Sequence, residues 1–200
     1  MTEAQRHKEK MQAQQAEHRK RVQAASATER GLVLVYTGEG KGKSSSAFGV
    51  IARALGWGQR VGVVQFIKGA WKTGERQFFA KFPDQLDWHT MGEGFTWDTQ
   101  DLDRDTATAQ SAFAQARAML KSGDYDLLVL DEINIALRCD FLAEDDVIHG
   151  LQARAARTSV ILTGRDAKAG ICDYADLVSE MRAIKHPFDA GIKAVRGIDF

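Results

Sequence analysis

The chain has 200 residues, 44% of them hydrophobic and 27% charged, and 27 Lys and Arg balance 27 Asp and Glu. This length fits one globular domain with its own core, and a formal net charge of zero excludes an overall field that would draw the chain to nucleic acid or to an anionic membrane. The longest apolar runs are about five residues, whereas a membrane-spanning helix needs roughly 20. We therefore expect neither nucleic acid nor a membrane as a partner.

The amino terminus and the two cysteines are both typical of a cytoplasmic protein. No apolar signal-peptide core lies near the start, and Glu3, Glu9 and Glu17 are not typical of an organelle transit peptide. Cys139 and Cys172 form neither a C-x-x-C pair nor a zinc spacing, as expected for reduced thiols. We predict a cytoplasmic location.

Residues 1–30 have the composition of an arm rather than of a domain. Good helix formers dominate residues 1–27, where Met11 and Val22 are almost the only large apolar side chains. Seven Lys and Arg against four Glu give residues 1–30 a net charge of +3, a weak indication of a polyanion-binding arm. We predict a helical or flexible arm over residues 1–30 that docks when something binds, and a single domain over 31–200; a solvated extension with no role is the alternative.

The first pattern with chemical content is a strand, a glycine-rich loop and a helix. Residues 31–36 (GLVLVY) are an apolar run, residues 37–44 read TGEGKGKS, and residues 45–55 carry apolar side chains at helical spacing. Glycines let several backbone N–H groups point at one centre, and the following helix adds the positive end of its dipole. The pattern predicts a phosphate-binding loop in which Lys43 reaches the outer phosphates and Ser44 offers a hydroxyl to magnesium.

This loop departs from the standard pattern G-x-x-x-x-G-K-[ST] at one position. Thr37 stands where the first glycine belongs, and Gly38 follows one residue late. A Gly- and Lys-rich turn that merely joins a strand to a helix is the alternative interpretation. The predicted nucleotide-binding residues are Gly38, Glu39, Gly40, Lys41, Gly42, Lys43, Ser44 and Ser45.

The next predicted strand leads into a basic loop. A buried strand over 60–67 is followed by a loop that begins with Lys68, and α/β folds bind ligands beyond the carboxyl ends of parallel strands. A solvated basic loop is the alternative. A short helix with an aromatic side over 75–82 and a strand over 86–90 come next.

The stretch MGEGFTW at 91–97 is an unusual loop with two glycines and two large aromatic side chains, Phe95 and Trp97. Exposed aromatic side chains commonly form a partner surface or a ligand wall. From spacing alone, burial of both side chains in the core is the favoured interpretation.

A second chemical pattern follows a long predicted helix over 101–122, which Gly123 closes. The buried strand over 126–132 ends in two carboxylates, Asp131 and Glu132, in the Walker-B arrangement. Either carboxylate can hold magnesium directly or through water, and in hydrolases the glutamate would activate water. Helix N-capping by Asp131 is the alternative.

The rest of the domain continues the alternation of helices and strands. Helical patterns at 134–138 and 144–156 precede strands over 159–163 and 175–182, and the tail that follows has no strong periodicity. Arg165, just past the first of these strands, suits either a phosphate contact or a structural ion pair.

Apolar strands that alternate with helices predict an α/β fold, a mostly parallel sheet with helices on both faces. Right-handed crossovers would bring the loop at 37–44, Asp131 and Arg165 to one edge of this sheet. That shared edge predicts a nucleotide site better than any single motif does.

With these residues laid out, the chain closely resembles the P-loop ATP:corrinoid (cob(I)alamin) adenosyltransferases. The resemblance implies a P-loop NTPase-like (RecA-like) fold, and the departure at Thr37 is then the family's own variant. It covers essentially all of the chain from about residue 31. The matching stretches are TGEGKGKSSSAFG (37–49), VVQFIKG (63–69), MGEGFTW (91–97), LLVLDEIN (127–134), ILTGR (161–165) and KHPFDAGIKAVRGIDF (185–200).

The resemblance implies that Co(I) of a reduced corrinoid attacks C5′ of ATP and that inorganic triphosphate leaves, in cobalamin biosynthesis or salvage. The loop amides, Lys43, and Mg²⁺ held by Ser44 with Asp131 or Glu132 would stabilise the leaving group. Lys43 and Glu132 would be the catalytic residues, with Glu132 binding metal rather than acting as a general base.

The resemblance also implies roles outside the nucleotide site. Phe95 and Trp97 would bind the corrinoid and displace its lower axial ligand, which makes cobalt(II) easier to reduce. The electron donor would be a reduced flavin or flavoprotein. The family usually works as a homodimer in which the amino-terminal segment can close over the active site.

Two other classes of protein share parts of these patterns. A P-loop ATPase or kinase would release ADP, and it needs a water-positioning base or an acceptor site. A non-catalytic nucleotide-binding regulator would use the basic arm on a partner or on nucleic acid. Neither class has a use for the aromatic loop at 91–97.

Overall fold

A computed structural model of the chain describes residues 2–26, 28–67, 69, 72–92 and 101–200, and a six-stranded sheet forms its centre. The strands are β1 (Val33–Thr37), β2 (Val61–Gln65), β3 (Leu86–Thr90), β4 (Leu127–Asp131), β5 (Ser159–Thr163) and β6 (Leu177–Glu180). Their order across the sheet is β3-β2-β4-β5-β1-β6, and each neighbouring pair is parallel. The predicted α/β fold with a parallel sheet is confirmed.

The helices connect these strands. They are α1 (Glu3–Ala24), α2 (Lys43–Gly56), α3 (Gly74–Phe79), α4 (Leu102–Ser122), α5 (Ile133–Arg138), α6 (Glu144–Gln152) and α7 (Ala169–Tyr174), with a 3₁₀ turn at Pro187–Ala190. Gly123 ends α4 with φ 76°, as predicted, and the Asp101 side chain caps the start of the helix. The six-residue helix α7 was not predicted.

The sheet has an apolar cluster on each face, because alternate residues of its inner strands point to opposite sides. In β4, Leu128 and Leu130 belong to one cluster with α4, α5 and α6, whereas Leu127 and Val129 belong to the other. The second cluster contains α2 and the buried Phe79 of α3. Burial on both faces explains why the strands are apolar throughout.

Strand pairing sets the ends of several elements. The strand predicted over 60–67 ends at Gln65, which lies opposite Asp131, the last residue of β4. The strand predicted over 175–182 is only four residues long, since β6 pairs with β1 from Leu177 to Glu180. The predictions for 86–90 and 159–163 match the observed bounds.

Helix α1 has no buried residue, so it contributes nothing to the core of the domain. The Thr2 and Gln5 side chains form a capping box at its start, and Arg21 pairs with Glu17 one turn earlier. Among the helices of the described residues, none combines the length and apolar character of a membrane span.

Gly31 lies just before β1 and packs against the backbone of a neighbouring segment at Thr158. A Cβ atom at this position would lie 2.2 Å from both the carbonyl carbon and oxygen of Thr158. Because overpacking against atoms that cannot move aside costs about 1–3 kcal/mol, we expect Gly31→Ala to lower the free energy of unfolding by about that amount in a urea titration.

Gly49 supplies the matched control for this substitution. It lies exposed within α2, and a Cβ atom there meets nothing within 4 Å. Gly49→Ala should therefore stabilise the protein by about 0.5–1 kcal/mol, because alanine loses less backbone entropy in a helix. Equal effects of the two substitutions would contradict this account of the packing at Gly31.

Candidate functional site

The glycine-rich loop, Asp131 and Arg165 lie at the same edge of the sheet. The loop follows β1, Asp131 ends β4, and Arg165 follows β5, so all three lie beyond carboxyl ends of parallel strands. The Ser44 hydroxyl donates to Asp131 Oδ1 at 2.8 Å, and Arg165 Nε lies 3.4 Å from Glu39 Oε2. The structure therefore brings together the loop and the two side chains that the crossovers were expected to place there.

The backbone after β6 supports the glycine-rich loop. Gly40 N–H donates to the Met181 carbonyl at 2.6 Å, and a Cβ atom on Gly40 would lie 2.7 Å from the Arg182 carbonyl oxygen. Gly38 and Gly42 have φ angles of 93° and 118°, a region that favours glycine. The loop thus needs glycine both for its curvature and for its close contact with the segment at 181–182.

The Lys43 side chain folds back into the loop. Its Nζ atom donates to the carbonyl oxygens of Gly38 and Gly40, both at 2.7 Å. The residue is only 8% exposed, and this burial lowers the pKa of the ammonium group, while the negative charge of Glu132 acts in the opposite direction. Lys43 is therefore a buried, loop-bound cation close to a carboxylate.

Other residues of the loop contact side chains outside it. Lys41 forms an ion pair with Asp199 in the carboxy-terminal tail, and the pairing lowers the pKa of the Asp199 carboxyl. Glu39 pairs with Arg165. Ser45 lies exposed in the first turn of α2. The tail after β6 therefore contacts the loop at its start, through Met181, and near its end, through Asp199.

Asp131 is fully buried and accepts hydrogen bonds from three side chains. Ser44 Oγ and Thr163 Oγ1 each lie 2.8 Å from its Oδ1 atom, and Gln65 Nε2 lies 2.9 Å from Oδ2. A buried carboxylate needs such donors, because an uncompensated charge in the interior is very costly. The N-cap residue of α5 is Glu132, so the helix-capping interpretation of Asp131 does not describe this site.

Glu132 has a backbone conformation that is rare for a residue with a side chain. Its φ angle is 64°, in the left-handed region, and its N–H donates to Thr163 Oγ1 at 3.0 Å. Such a conformation costs about 1–3 kcal/mol and is found most often at functional sites. The strained backbone places this carboxylate directly after the strand, near Lys43.

Gln65 and Thr163 were not predicted as site residues. Each is the last residue of a mostly apolar strand, and each is at most 8% exposed. A polar residue at the carboxyl end of an apolar strand was the available signal. Asn134, also fully buried, donates to the Gly164 carbonyl at 3.3 Å, and its Oδ1 atom has no hydrogen-bond partner among the described residues.

The oxygen atoms of Ser44, Asp131 and Glu132 suit magnesium. Mg²⁺ is usually held by one or two carboxylates together with substrate phosphates. The described residues contain no group of three or more His, Cys, Asp or Glu side chains that could hold a metal alone. The donor set therefore fits a metal that is shared with a nucleotide.

Three of the predicted contact residues, Lys68, Phe95 and Trp97, lie outside the described residues.

Comparisons with known proteins identify the family. The family model described as "ATP:corrinoid adenosyltransferase BtuR/CobO/CobP" matches residues 29–200. A corrinoid adenosyltransferase of Pseudomonas aeruginosa is 52% identical over 98% of this chain and 96% of its own length. One from a Sinorhizobium species is 46% identical over 98% and 92%, and one from Salmonella typhimurium is 45% identical over 96% and 98%. The chain belongs to the corrinoid adenosyltransferase family.

Proposed function

We propose that this chain transfers the 5′-deoxyadenosyl group of ATP to the cobalt of a reduced corrinoid. The electron pair of Co(I) forms the cobalt–carbon bond to C5′. The bond from C5′ to its phosphate oxygen breaks, and triphosphate leaves with the electrons of that broken bond. The observation that carries the proposal is the contact between Ser44 of the glycine-rich loop and Asp131. It joins the glycine-rich loop to a buried carboxylate in a chain of this family.

The glycine-rich loop would hold the triphosphate. In this proposal the backbone from Gly38 to Ser45 and the amino-terminal end of α2 receive the phosphate oxygens. Lys43 Nζ would give up its hydrogen bonds to the Gly38 and Gly40 carbonyls and donate to the phosphate oxygens instead. A hydrogen bond between two charged groups is the stronger interaction. Negative charge builds up on the leaving group in the transition state, so donors already aimed at it lower the barrier.

Magnesium would be held by Ser44 together with Asp131 and Glu132. When bound, the ion would neutralise part of the charge on the triphosphate. The role of Glu132 in this proposal is to bind metal, not to activate water. Arg165, which pairs with Glu39, and Lys68 are proposed as further contacts to phosphate or substrate.

The corrinoid would lie against Phe95 and Trp97. An apolar wall that displaces the lower axial ligand ends the donation of that ligand's lone pair to cobalt(II). The orbital that receives the added electron then lies lower in energy, so cobalt(II) is easier to reduce. A reduced flavin or flavoprotein would supply that electron.

We also propose a cytoplasmic homodimer in which the arm at residues 1–30 closes over the site of the domain at 31–200. Helix α1 supports this role, because a helix with no buried residue has a surface available for contact. Light scattering should give about twice the chain mass of 22.1 kDa; a value near 22.1 kDa would contradict the dimer.

A product assay under anaerobic conditions tests the proposed reaction. Mixing the protein, ATP, Mg²⁺ and chemically reduced corrinoid should give a light-sensitive adenosyl–cobalt product and inorganic triphosphate in equal amounts. Addition of EDTA should suppress both products if magnesium takes part. Lys43→Ala should lower both by at least about tenfold, since it removes a charged hydrogen-bond donor.

Two results of this assay would contradict the proposal. ADP without an adenosyl–cobalt product would identify an ATPase or kinase. Bound ATP with neither product would identify a nucleotide-binding regulator.

The role of Phe95 and Trp97 predicts a difference between two starting materials. Phe95→Ala and Trp97→Ala should slow the reaction strongly when it starts from cobalt(II) corrinoid with a flavin reductant. They should slow it much less when it starts from Co(I), because the reduction step is then bypassed. Equal slowing from both starting materials, or wild-type rates from cobalt(II), would place the displacement of the axial ligand elsewhere.

A further inference from the structure

The side-chain amide of Gln65 has only one orientation that suits its neighbours. The indole nitrogen of Trp88 can only donate a hydrogen bond, and it lies 2.9 Å from Gln65 Oε1. The amide oxygen must therefore face Trp88, and the NH₂ group must face Asp131 Oδ2 at 2.9 Å. A donor-only partner thus settles an orientation that is otherwise assigned by inspection of the network.

Thr90 supports the same orientation from a second side. The Arg76 guanidinium, which cannot accept a hydrogen bond, donates to Thr90 Oγ1 at 3.2 Å. The single hydroxyl proton of Thr90 is then available for Gln65 Oε1, which lies 3.1 Å away. Two donors therefore converge on the oxygen of the amide.

A second series of hydrogen bonds reaches Oδ1, the other carboxylate oxygen of Asp131. The backbone N–H of Glu132 donates to Thr163 Oγ1 at 3.0 Å, so the Thr163 proton is directed to Asp131 Oδ1 at 2.8 Å. Gln65, Asp131 and Thr163 are each at most 8% exposed. Water has little access to replace any of these bonds.

We propose that Gln65 is a positioning residue that fixes the rotation of the Asp131 carboxylate for the metal bound with ATP. Gln65 holds Oδ2 and Thr163 holds Oδ1, so the carboxylate plane stays fixed when the Ser44 hydroxyl turns from Asp131 to a metal. Trp88 and Thr90 act through Gln65 by keeping its NH₂ group turned to Asp131. This proposal rests on the proposed function, in which Asp131 helps to bind Mg²⁺.

Outer partners of a metal-binding carboxylate commonly change metal affinity by about 10–100-fold. We therefore expect Gln65→Met, which keeps the length of the side chain and removes the donor, to weaken metal binding to the ATP complex by at least about tenfold. Mn²⁺ provides the probe: its electron paramagnetic resonance spectrum reports bound metal while ATP is held in excess. Binding of ATP in EDTA should stay within about twofold of wild type, since Gln65 is proposed to act through the metal only.

The control is Gln152→Met, a glutamine exposed at the end of α6 and not part of the network. It should leave both the metal affinity and the spectrum unchanged. Wild-type Mn²⁺ affinity in Gln65→Met would overturn the proposal. Equal losses of ATP binding with and without metal would also overturn it, because they would show a general structural role.

Trp88→Phe tests the same idea with a smaller change in the core and serves if Gln65→Met fails to fold. It removes the indole N–H and lets the Gln65 amide turn over, so metal affinity should fall by about threefold or more. Trp57→Phe, at a position 81% exposed, is the matched control. Identical behaviour of the two tryptophan variants would overturn the proposal.

These experiments separate the two proposals. Absence of metal-dependent ATP binding in the wild-type protein would contradict the proposed function itself. Normal metal dependence in the wild type, with no change in Gln65→Met or Trp88→Phe, would contradict only the role of Gln65.

Discussion

The site depends on one buried charge, the carboxylate of Asp131. A carboxylate in the interior of a sheet needs hydrogen bonds from its surroundings, because it has lost the water that would otherwise solvate it. The fold provides these donors by strand order: β4 lies between β2 and β5, and the last residue of each neighbour, Gln65 or Thr163, reaches Asp131. The third donor, Ser44, comes from the loop after β1. The carboxylate thus joins the loop to the centre of the sheet.

The glycine-rich loop is held from its other side by the exit of β6. Bonds between Thr37 and Met181 and between Met181 and Gly40 continue the β1–β6 ladder into the loop. The loop is therefore shaped before any ligand arrives, with Lys43 already inside it. A preorganised set of donors suits a reaction whose transition state gathers charge on a leaving triphosphate, since no reorganisation is needed as the charge appears.

Much of this arrangement could be predicted from the sequence, because its signals are local. The apolar run before residue 37, the glycines and the helical spacing after Ser44 predicted the loop, and the run of apolar residues before Asp131 predicted the strand-end carboxylate. Gln65 and Thr163 could not be assigned in this way. Their contact with Asp131 depends on which strands are neighbours and in what register, for example Gln65 opposite Asp131. Helix α7 (AGICDY) was missed because Ile171 is its one buried residue, so the sequence shows no apolar stripe there.

The central claim is that the glycine-rich loop and Asp131 bind Mg·ATP as one unit. The most direct measurement is a double-mutant cycle with Ser44→Ala, Asp131→Asn and the double variant, read as dissociation constants for Mg·ATP. The account predicts that the double change costs less than the sum of the single changes, with a coupling of about 0.5–3 kcal/mol, because both residues act on the same metal. Additive effects would show that the two residues act independently and would contradict the account.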